Sequence, residues 1–180
     1  LFEIVDGILK LRDGVSVNYE QKNSLNIIIT ATDGEGLSFD QTLEINVNDV
    51  NEQPTSITLS NSKLKESEKG IIVGTLSTAD EDADDTHTYT LSGEDADQFE
   101  VVNGQLKLRE GIAADYESKE TYSVTVTSTD SGGATTETTF TLNVVTTIDL
   151  SSFSFAENSK GAVVGDLSVT DESFSSNVTY

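Results

Sequence analysis

The side chains that could do chemistry in this sequence are almost all carboxylates. They recur in short groups, such as Asp80-Glu81-Asp82, Asp115-Tyr116-Glu117 and Ser128-Thr129-Asp130. The sequence contains no Cys and a single His, His87, which excludes thiolate sites and multi-histidine zinc or iron sites. The ligands that remain are hard oxygen atoms, and a metal site built from oxygen favours calcium.

Acidic residues also dominate the overall charge. The 180 residues include 32 Asp and Glu against 10 Lys and Arg, which gives a net charge of −22 at pH 7. A protein this acidic repels the phosphate backbone, so nucleic-acid binding is excluded. Hydrophobic residues make up only 35% of the chain, but they occur in short, regularly spaced runs, which indicates a folded protein. No run approaches the roughly 20 apolar residues that span a bilayer, so we expect no membrane insertion in this segment.

The elements that must position these carboxylates recur along the chain. Residues 2–49 align without a gap with residues 99–146, and 19 of the 48 pairs are identical. A second alignment pairs residues 66–76 with residues 157–167. The offset is 97 residues in the first alignment and 91 in the second, so the second linker is six residues shorter. The chain therefore contains parts of three similar domains.

We expect residues 1–52 to be the C-terminal part of one repeat, residues 53–147 a complete repeat, and residues 148–180 the N-terminal part of a further repeat. Two explanations of the partial repeats stay open. The sequence is a window on a longer repetitive chain, or residues 148–180 of one copy complete residues 1–52 of the next and build a filament by strand addition.

The hydrophobic pattern predicts an all-β fold. Apolar residues alternate with polar ones or form short β-branched runs, and Gly, Asn, Asp and Ser separate these runs. About seven strands in just under a hundred residues is the size of a Greek-key β-sandwich, so we expect tandem seven-stranded sandwiches linked end to end. The predicted strands include Ile27–Ile29, Leu43–Val47, Ile71–Leu76, Thr88–Leu91, Leu106–Leu108, Tyr122–Val126 and Phe140–Val144.

Six short motifs in a fixed order relate the sequence to a family. They are Glu66–Gly70, Asp80–Asp82, Phe99 with Gly104 and Leu106, Asp115–Glu117, Ser128–Asp130, and the linker Asp49–Pro54. In this order they resemble cadherin repeats and, more narrowly, the cadherin-like repeats of bacterial cell-surface proteins. The resemblance implies a seven-stranded sandwich, related to the immunoglobulin-like fold, that binds calcium between successive domains.

The resemblance also implies a set of calcium ligands at the first junction between repeats. They come from the end of the first repeat, the linker and the second repeat: Asn18, Glu20, Asp49, Asn51, Glu52, Asp80, Asp82 and Asp130. Carboxylates clustered without a cation repel each other, so the metal and a rigid linker are expected together. Asn18 stands where the family usually has Asp, which should weaken the site without abolishing it.

The second junction departs further from the family pattern. Its linker lacks the Asp-x-Asn-Glu segment, and Ser173 replaces the second Asp of the Asp-x-Asp motif. We therefore expect weak or absent calcium binding there. The residues that match the family positions are Glu66, Asp115, Glu117 and Asp171. Under either explanation of the partial repeats, we expect Glu157 to join Asn18 and Glu20 at the calcium base of the composite domain.

Three functions fit these features. The first is a calcium-stiffened extracellular spacer or adhesion module of a large surface or secreted protein, with neighbouring repeats, identical chains or glycans as partners. The second is a subunit of an extracellular filament, and the third is a carbohydrate-binding accessory module. We do not expect an enzyme, because the carboxylate pairs that could do acid–base work fall on metal-matched positions. We expect His87 to be an ordinary surface residue and Glu94, Asp95 and Asp97 to form a solvated face.

Overall fold

The computed structural model describes residues 1–146, 148–150, 154, 160–161, 163 and 166–169. These residues contain fourteen strands and one turn of 3₁₀ helix at Ala96–Gln98. The strands are β1 (Phe2–Val5), β2 (Ile8–Leu11), β3 (Ser24–Thr32), β4 (Ser38–Asn46), β5 (Ser56–Leu59), β6 (Lys63–Lys65), β7 (Ile72–Ala79), β8 (Thr88–Ser92), β9 (Phe99–Val102), β10 (Gln105–Leu108), β11 (Thr121–Thr129), β12 (Thr135–Val145), β13 (Ile148–Leu150) and β14 (Leu167–Val169). None of the described residues forms a helix long and apolar enough to cross a membrane.

The chain divides into two compact units. The first comprises Leu1–Glu52 together with the loop Glu81–Asp84, and the second comprises Gln53–Asp80 and Asp85–Tyr180. The predicted domain limits after residues 52 and 147 stay predictions.

The second unit contains a sandwich of two four-stranded sheets. Their strand orders are β5-β7-β10-β9 and β6-β12-β11-β8, and every pair of neighbours is antiparallel except β6 with β12. Only Ser60–Ser62 separate β5 from β6, so these two strands are one stretch of chain that switches from one sheet to the other. Counted in this way, the sandwich has the seven strands that the sequence predicts, and the predicted all-β fold class is confirmed.

The core of the sandwich follows directly from the alternating pattern. Along β11, Tyr122, Val124 and Val126 are buried while the intervening Thr and Ser residues are partly exposed. Phe99 is fully buried and packs edge-to-face against Tyr122, with ring centroids 5.7 Å apart. Each fully buried Leu, Val or Phe stabilises the fold by about 1.5–3 kcal/mol relative to an exposed side chain.

The first unit contains two hairpins, β1-β2 and β3-β4. Their registers repeat those of the second unit at the offset of 97 residues. Phe2 pairs with Leu11 as Phe99 pairs with Leu108. Likewise, Ser24 pairs with Asn46 as Thr121 pairs with Asn143. The sequence repeat is therefore also a repeat of strand pairing.

A third pair of strands, β13 and β14, repeats the pairing of β5 with β7. Ile148 pairs with Val169 and Leu150 with Leu167. At the offset of 91 residues, these pairs correspond to Ile57 with Thr78 and Leu59 with Leu76. The described part of residues 148–180 thus pairs its strands as the front of the complete repeat does.

The expectation of a solvated face is wrong for Asp95. Its side chain is buried, and its carboxylate accepts hydrogen bonds from Lys119 Nζ at 2.5 Å and from the backbone N–H of Ser123 at 2.8 Å. Burial alone would raise the pKa of Asp95, but the hydrogen bonds from Lys119 and Ser123 outweigh burial and lower it. Lys119 also lies over the ring of Tyr122. Asp95 therefore anchors the start of the 3₁₀ turn to β11.

Candidate metal centres

Among the residues that the structure describes, three groups of carboxylates have oxygen atoms that converge within 4.8 Å of one another. Cluster 1 contains Glu20, Asp49 and Asp82, cluster 2 contains Asp80, Asp85 and Asp130, and cluster 3 contains Glu66, Asp115 and Glu117. Every cluster draws its residues from at least two separate segments of the chain, which the strands bring together. All but one of these nine residues belong to the predicted ligand set.

Cluster 1 lies in the first unit. Glu20 belongs to the turns that follow β2, Asp49 follows β4, and Asp82 comes from the loop Glu81–Asp84. The loop is held by hydrogen bonds, because the backbone N–H of Glu52 donates to Asp82 Oδ2 at 2.9 Å and Asn18 Nδ2 donates to Glu81 Oε1 at 2.7 Å. The loop therefore carries Asp82 to the carboxylates of the first unit.

The remaining predicted ligands of this region lie beside cluster 1. Asn18 Oδ1 accepts a hydrogen bond from the backbone N–H of Gln21, and Asn51 Nδ2 donates to the carbonyl of Glu52. The pKa of Glu52 is raised by desolvation and then by the carboxylates of Asp82, Glu81 and Asp49. A raised carboxyl pKa means that negative charge is disfavoured at this position, and a bound cation would reverse that effect.

Cluster 2 lies in the second unit, where the end of β7, the start of β8 and the turn after β11 meet. Asp130 shapes its own turn, because Asp130 Oδ1 accepts a hydrogen bond from the backbone N–H of Ala134 at 2.8 Å. His87 Nε2 lies 2.8 Å from Asp80 Oδ2 and its side chain is only 13% exposed. The expectation that His87 is an ordinary surface residue is therefore wrong.

Asp85 is the ligand candidate that the sequence analysis missed. Ser131 Oγ donates a hydrogen bond to Asp85 Oδ1, while Asp85 Oδ2 is buried and accepts no hydrogen bond from any described residue. The only signal in the sequence was the Asp84-Asp85 pair after the Asp-x-Asp motif. That signal does not say which of the two carboxylates turns inward, because the choice depends on the path of the loop.

Cluster 3 is held by hydrogen bonds within the protein. Glu66 is buried, and its two carboxylate oxygens accept hydrogen bonds from the backbone N–H of Tyr116 at 3.0 Å and from Thr146 Oγ1 at 2.9 Å. Hydrogen bonds from the side chain and the backbone of Ser118 lower the pKa of Asp115. Glu157 and Asp171, the other residues predicted for weaker binding, lie outside the described residues.

The spacing of the carboxylate oxygens in all three clusters fits calcium. Two oxygens on opposite sides of a calcium ion lie roughly 4.8 Å apart, since Ca–O distances are about 2.3–2.6 Å. Three carboxylates supply up to six oxygens, and carbonyls, amides and water complete six to eight ligands. Without a cation, two unit charges at 4.8 Å repel by about 3.5 kcal/mol at an effective dielectric constant of 20. Asp85 Oδ2 is buried without a hydrogen-bond donor among the described residues, and a bound cation would supply the missing partner.

Solved structures place this architecture among known folds. A protocadherin gammaB7 structure of domains EC3-6, described as a cis-dimer, matches 93% of this chain with a TM-score of 0.60 and 24% identity. A human protocadherin-24 EC1-2 structure matches 80% of the chain with a TM-score of 0.63 and 18% identity. A human mucin-like protocadherin EC1-2 structure matches 80% with a TM-score of 0.56 and 24% identity.

The extent of these matches differs from one structure to another. The chain spans 44% of the protocadherin gammaB7 chain, 76% of the protocadherin-24 chain and 78% of the mucin-like protocadherin chain. No protein-family model matches the sequence. The strand order, the register and these structural matches together show that the chain has the β-sandwich fold of cadherin extracellular domains.

Proposed function

We propose that the chain is a calcium-binding, non-catalytic cadherin-like module that acts as a rigid extracellular spacer or adhesion module of a larger surface protein. Cluster 2 carries this proposal. It brings Asp80, Asp85 and Asp130 within ligand distance of one another, and Asp85 contributes a buried oxygen that accepts no hydrogen bond from a described residue. Such an oxygen is costly in a folded protein unless a cation or a water molecule binds it, and two further carboxylates beside it favour the cation.

Calcium at these clusters would act as a cross-link between loops. Cluster 2 joins the end of β7, the loop before β8 and the turn between β11 and β12, and cluster 1 joins Asp82 to the segments around Glu20 and Asp49. A calcium ion bound to three segments removes their mutual repulsion and restricts their motion. A spacer that must transmit force or hold a partner at a fixed distance gains stiffness in this way.

The three clusters should differ in affinity. In cluster 3, Glu66 and Asp115 already accept hydrogen bonds from Tyr116, Thr146 and Ser118. Calcium would have to compete with these bonds, whereas Asp85 Oδ2 of cluster 2 accepts none from a described residue. We therefore propose that clusters 1 and 2 fill at lower calcium concentrations than cluster 3, which agrees with the weak second site expected from the sequence.

Calcium-binding stoichiometry tests this function. Equilibrium dialysis of the full chain against ⁴⁵Ca²⁺, with and without millimolar Mg²⁺, should give at least two sites that Mg²⁺ does not displace. Calcium keeps its selectivity here because it accepts irregular sites with many oxygens, whereas Mg²⁺ demands near-ideal octahedral geometry. Binding that Mg²⁺ abolishes at equal concentration, or the absence of saturable binding, would contradict the proposal.

The binding partners and the cellular location of the chain are proposed from its fold. The protocadherin structures are of extracellular cadherin domains, and one of them is a cis-dimer. Neighbouring repeats or identical chains are therefore the first partners to test, in an extracellular setting on a bacterial or other cell surface. The carbohydrate-binding function stays a prediction from the sequence. Two of the aromatic side chains that could stack on a sugar, Phe99 and Tyr122, are buried in the core.

A filament subunit is the second candidate function. It stays a prediction from the sequence, in which residues 148–180 of one copy would complete residues 1–52 of the next. A contact of this kind would add strands of one chain to the sheets of its neighbour.

A further inference from the structure

Three hydroxyl groups of the second unit form a hydrogen-bonded group inside the sandwich. Thr78 Oγ1 lies 3.0 Å from Tyr89 Oη and 2.8 Å from Ser128 Oγ. Ser128 is 0% exposed, and Thr78 and Tyr89 are partly buried. Thr78 therefore connects the other two side chains, and the three residues are called the hydroxyl triad below.

The hydroxyl triad joins the two sheets of the sandwich. Thr78 lies on β7, which belongs to the sheet β5-β7-β10-β9, whereas Tyr89 on β8 and Ser128 on β11 belong to the sheet β6-β12-β11-β8. Tyr89 and Ser128 also lie directly opposite each other in the pairing of β8 with β11. Both hydrogen bonds of Thr78 therefore cross from one sheet to the other, and they fix the separation of the sheets at this end of the sandwich.

Cluster 2 follows the hydroxyl triad at the same end of the sandwich. Each member of the triad is two residues away from a residue at the cluster: Thr78 from Asp80, Ser128 from Asp130, and Tyr89 from His87. Two residues span only roughly 6–7 Å of extended chain. Asp80 follows β7 in one sheet and Asp130 follows β11 in the other. The gap between these two carboxylates therefore depends on how far apart the triad holds the sheets.

The neighbouring core positions show that the hydroxyls are not needed to fill the interior. The inward-facing residues one step further into the sandwich are apolar, namely Leu76 on β7, Leu91 on β8 and Val126 on β11. At the offset of 97 residues, the first unit has Ala31 where the second has Ser128. An interior hydroxyl costs free energy unless it is hydrogen-bonded. What the triad adds is direction, because its hydrogen bonds favour one spacing of the sheets.

We propose that Thr78, Tyr89 and Ser128 are positioning residues that set the distance between the carboxylates of cluster 2 and thereby its affinity for calcium. This inference rests on the proposed function, because it concerns the same calcium site. Apolar contacts tolerate small displacements of one sheet against the other, whereas the hydrogen bonds of Thr78 resist them. Ligands that are already held at ligand distance bind an ion more tightly, since less of their motion is lost on binding.

Two substitutions of Thr78 separate the effect of its hydroxyl from that of its shape. Thr78→Val removes the hydroxyl and keeps the shape, whereas Thr78→Ser keeps the hydroxyl and removes only a methyl group. The measurement is calcium titration of the full chain by isothermal calorimetry. Thr78→Val should weaken one site by about tenfold, and Thr78→Ser should weaken it by less than about twofold.

Val124→Ala is the control for a loss of stability alone. Val124 is 0% exposed on β11 and lies four residues from Ser128, toward the middle of the strand. The cavity should lower the melting temperature in a chelator. It should leave the calcium affinity unchanged at a temperature well below melting, where Thr78→Val already lowers it. Equal weakening of calcium binding by Val124→Ala and Thr78→Val would overturn the positioning role.

Ser128→Ala and Tyr89→Phe each remove one of the two hydrogen bonds and keep Thr78, so they decide the question if Thr78→Val does not fold. Each should weaken the same site, in the same direction. If the unmodified chain binds calcium and the triad variants bind it equally well, the positioning role is wrong and the calcium-binding function stands. If the unmodified chain binds no calcium, the function and the positioning role are both wrong.

Discussion

His87 Nε2 lies 2.8 Å from Asp80 Oδ2, and the two side chains are 13% and 4% exposed. The single imidazole of the protein is thus placed against one of the three carboxylates of cluster 2, beside Asp85 and Asp130. Because an ionised carboxylate can only accept hydrogen bonds, the N–H at His87 Nε2 donates to Asp80 Oδ2. His87 therefore helps to hold Asp80 in the position from which its carboxylate faces the cluster.

Asp85→Asn should weaken calcium binding. The substitution removes a carboxylate whose Oδ2 is buried and accepts no hydrogen bond from a described residue, so we expect one site to lose tenfold or more in affinity, which corresponds to about 1.4 kcal/mol. The measurement is calcium titration by isothermal calorimetry. Asp84→Asn is the matched control because it makes the same change in charge one residue away, at an exposed side chain outside the cluster. Equal losses in the two variants would show that overall charge, not ligation, sets the affinity.

Glu52→Gln should stabilise the fold without calcium and weaken calcium binding. The pKa of Glu52 is raised by desolvation and by Asp82, Glu81 and Asp49. A raised folded-state pKa stabilises the fold below the unfolded value, and this contribution is lost as the pH rises through the folded-state pKa. At pH 7 without calcium, Glu52→Gln should therefore raise the melting temperature, and with calcium it should lower the affinity.

Thermal melts with calcium and with a chelator measure both effects of Glu52→Gln. Glu35→Gln, on the exposed turn between β3 and β4, is the control and should change neither quantity. A variant of Glu52 that is destabilised under both conditions would contradict the repulsion inferred around this residue.

Asp95→Asn should destabilise the second unit by about 1–3 kcal/mol at pH 7, because it weakens the buried hydrogen bonds from Lys119 and Ser123. The pKa of Asp95 is lowered in the folded state, so its contribution is present above its unfolded pKa of 3.8 and is lost as the pH falls through the lower folded-state value. Urea denaturation at pH 7 and near pH 2 measures the difference, which should shrink at the lower pH. Asp97→Asn, at an exposed residue of the same turn, should cost less than 0.5 kcal/mol.

Leu106→Ala should lower the free energy of unfolding by about 2–5 kcal/mol, since this side chain is 0% exposed in the sandwich core. Leu9→Ala removes the same atoms at the equivalent position of the first unit, where the side chain is only partly buried. It should cost less than half as much, because less apolar surface is lost from the interior. Equal costs, measured by urea denaturation, would contradict the difference in burial between the two positions.

The sequence predicts the β-sandwich and most members of the carboxylate clusters, because strand alternation and the cadherin-like motifs are local patterns. It does not predict the part played by Asp85, which depends on how the loop before β8 folds back toward Asp130. The sequence also does not predict the burial of Asp95, for a similar reason. Its partner Lys119 is 24 residues away, and the pattern around Asp95 contains no sign of it.

The spacing of the carboxylates in the sequence also does not predict which of them share a cluster. Asp80 and Asp82 belong to one motif, yet Asp80 joins cluster 2 and Asp82 joins cluster 1. Successive side chains in extended chain alternate, and positions two apart usually share a face. The loop Glu81–Asp84 departs from that rule because Asp82 accepts a hydrogen bond from the N–H of Glu52. Contacts of this kind, between residues 30 positions apart, are set by the folded chain.

The dependence of thermal stability on calcium tests the central claim most directly. Calcium that binds only the folded state adds about 2.7 kcal/mol when its concentration is a hundred times Kd. Melting the full chain in a chelator and then in rising calcium, with Mg²⁺ at the same concentrations as the control, should raise the melting temperature progressively with calcium and much less with magnesium. An identical melting temperature with the chelator and with saturating calcium would contradict the account.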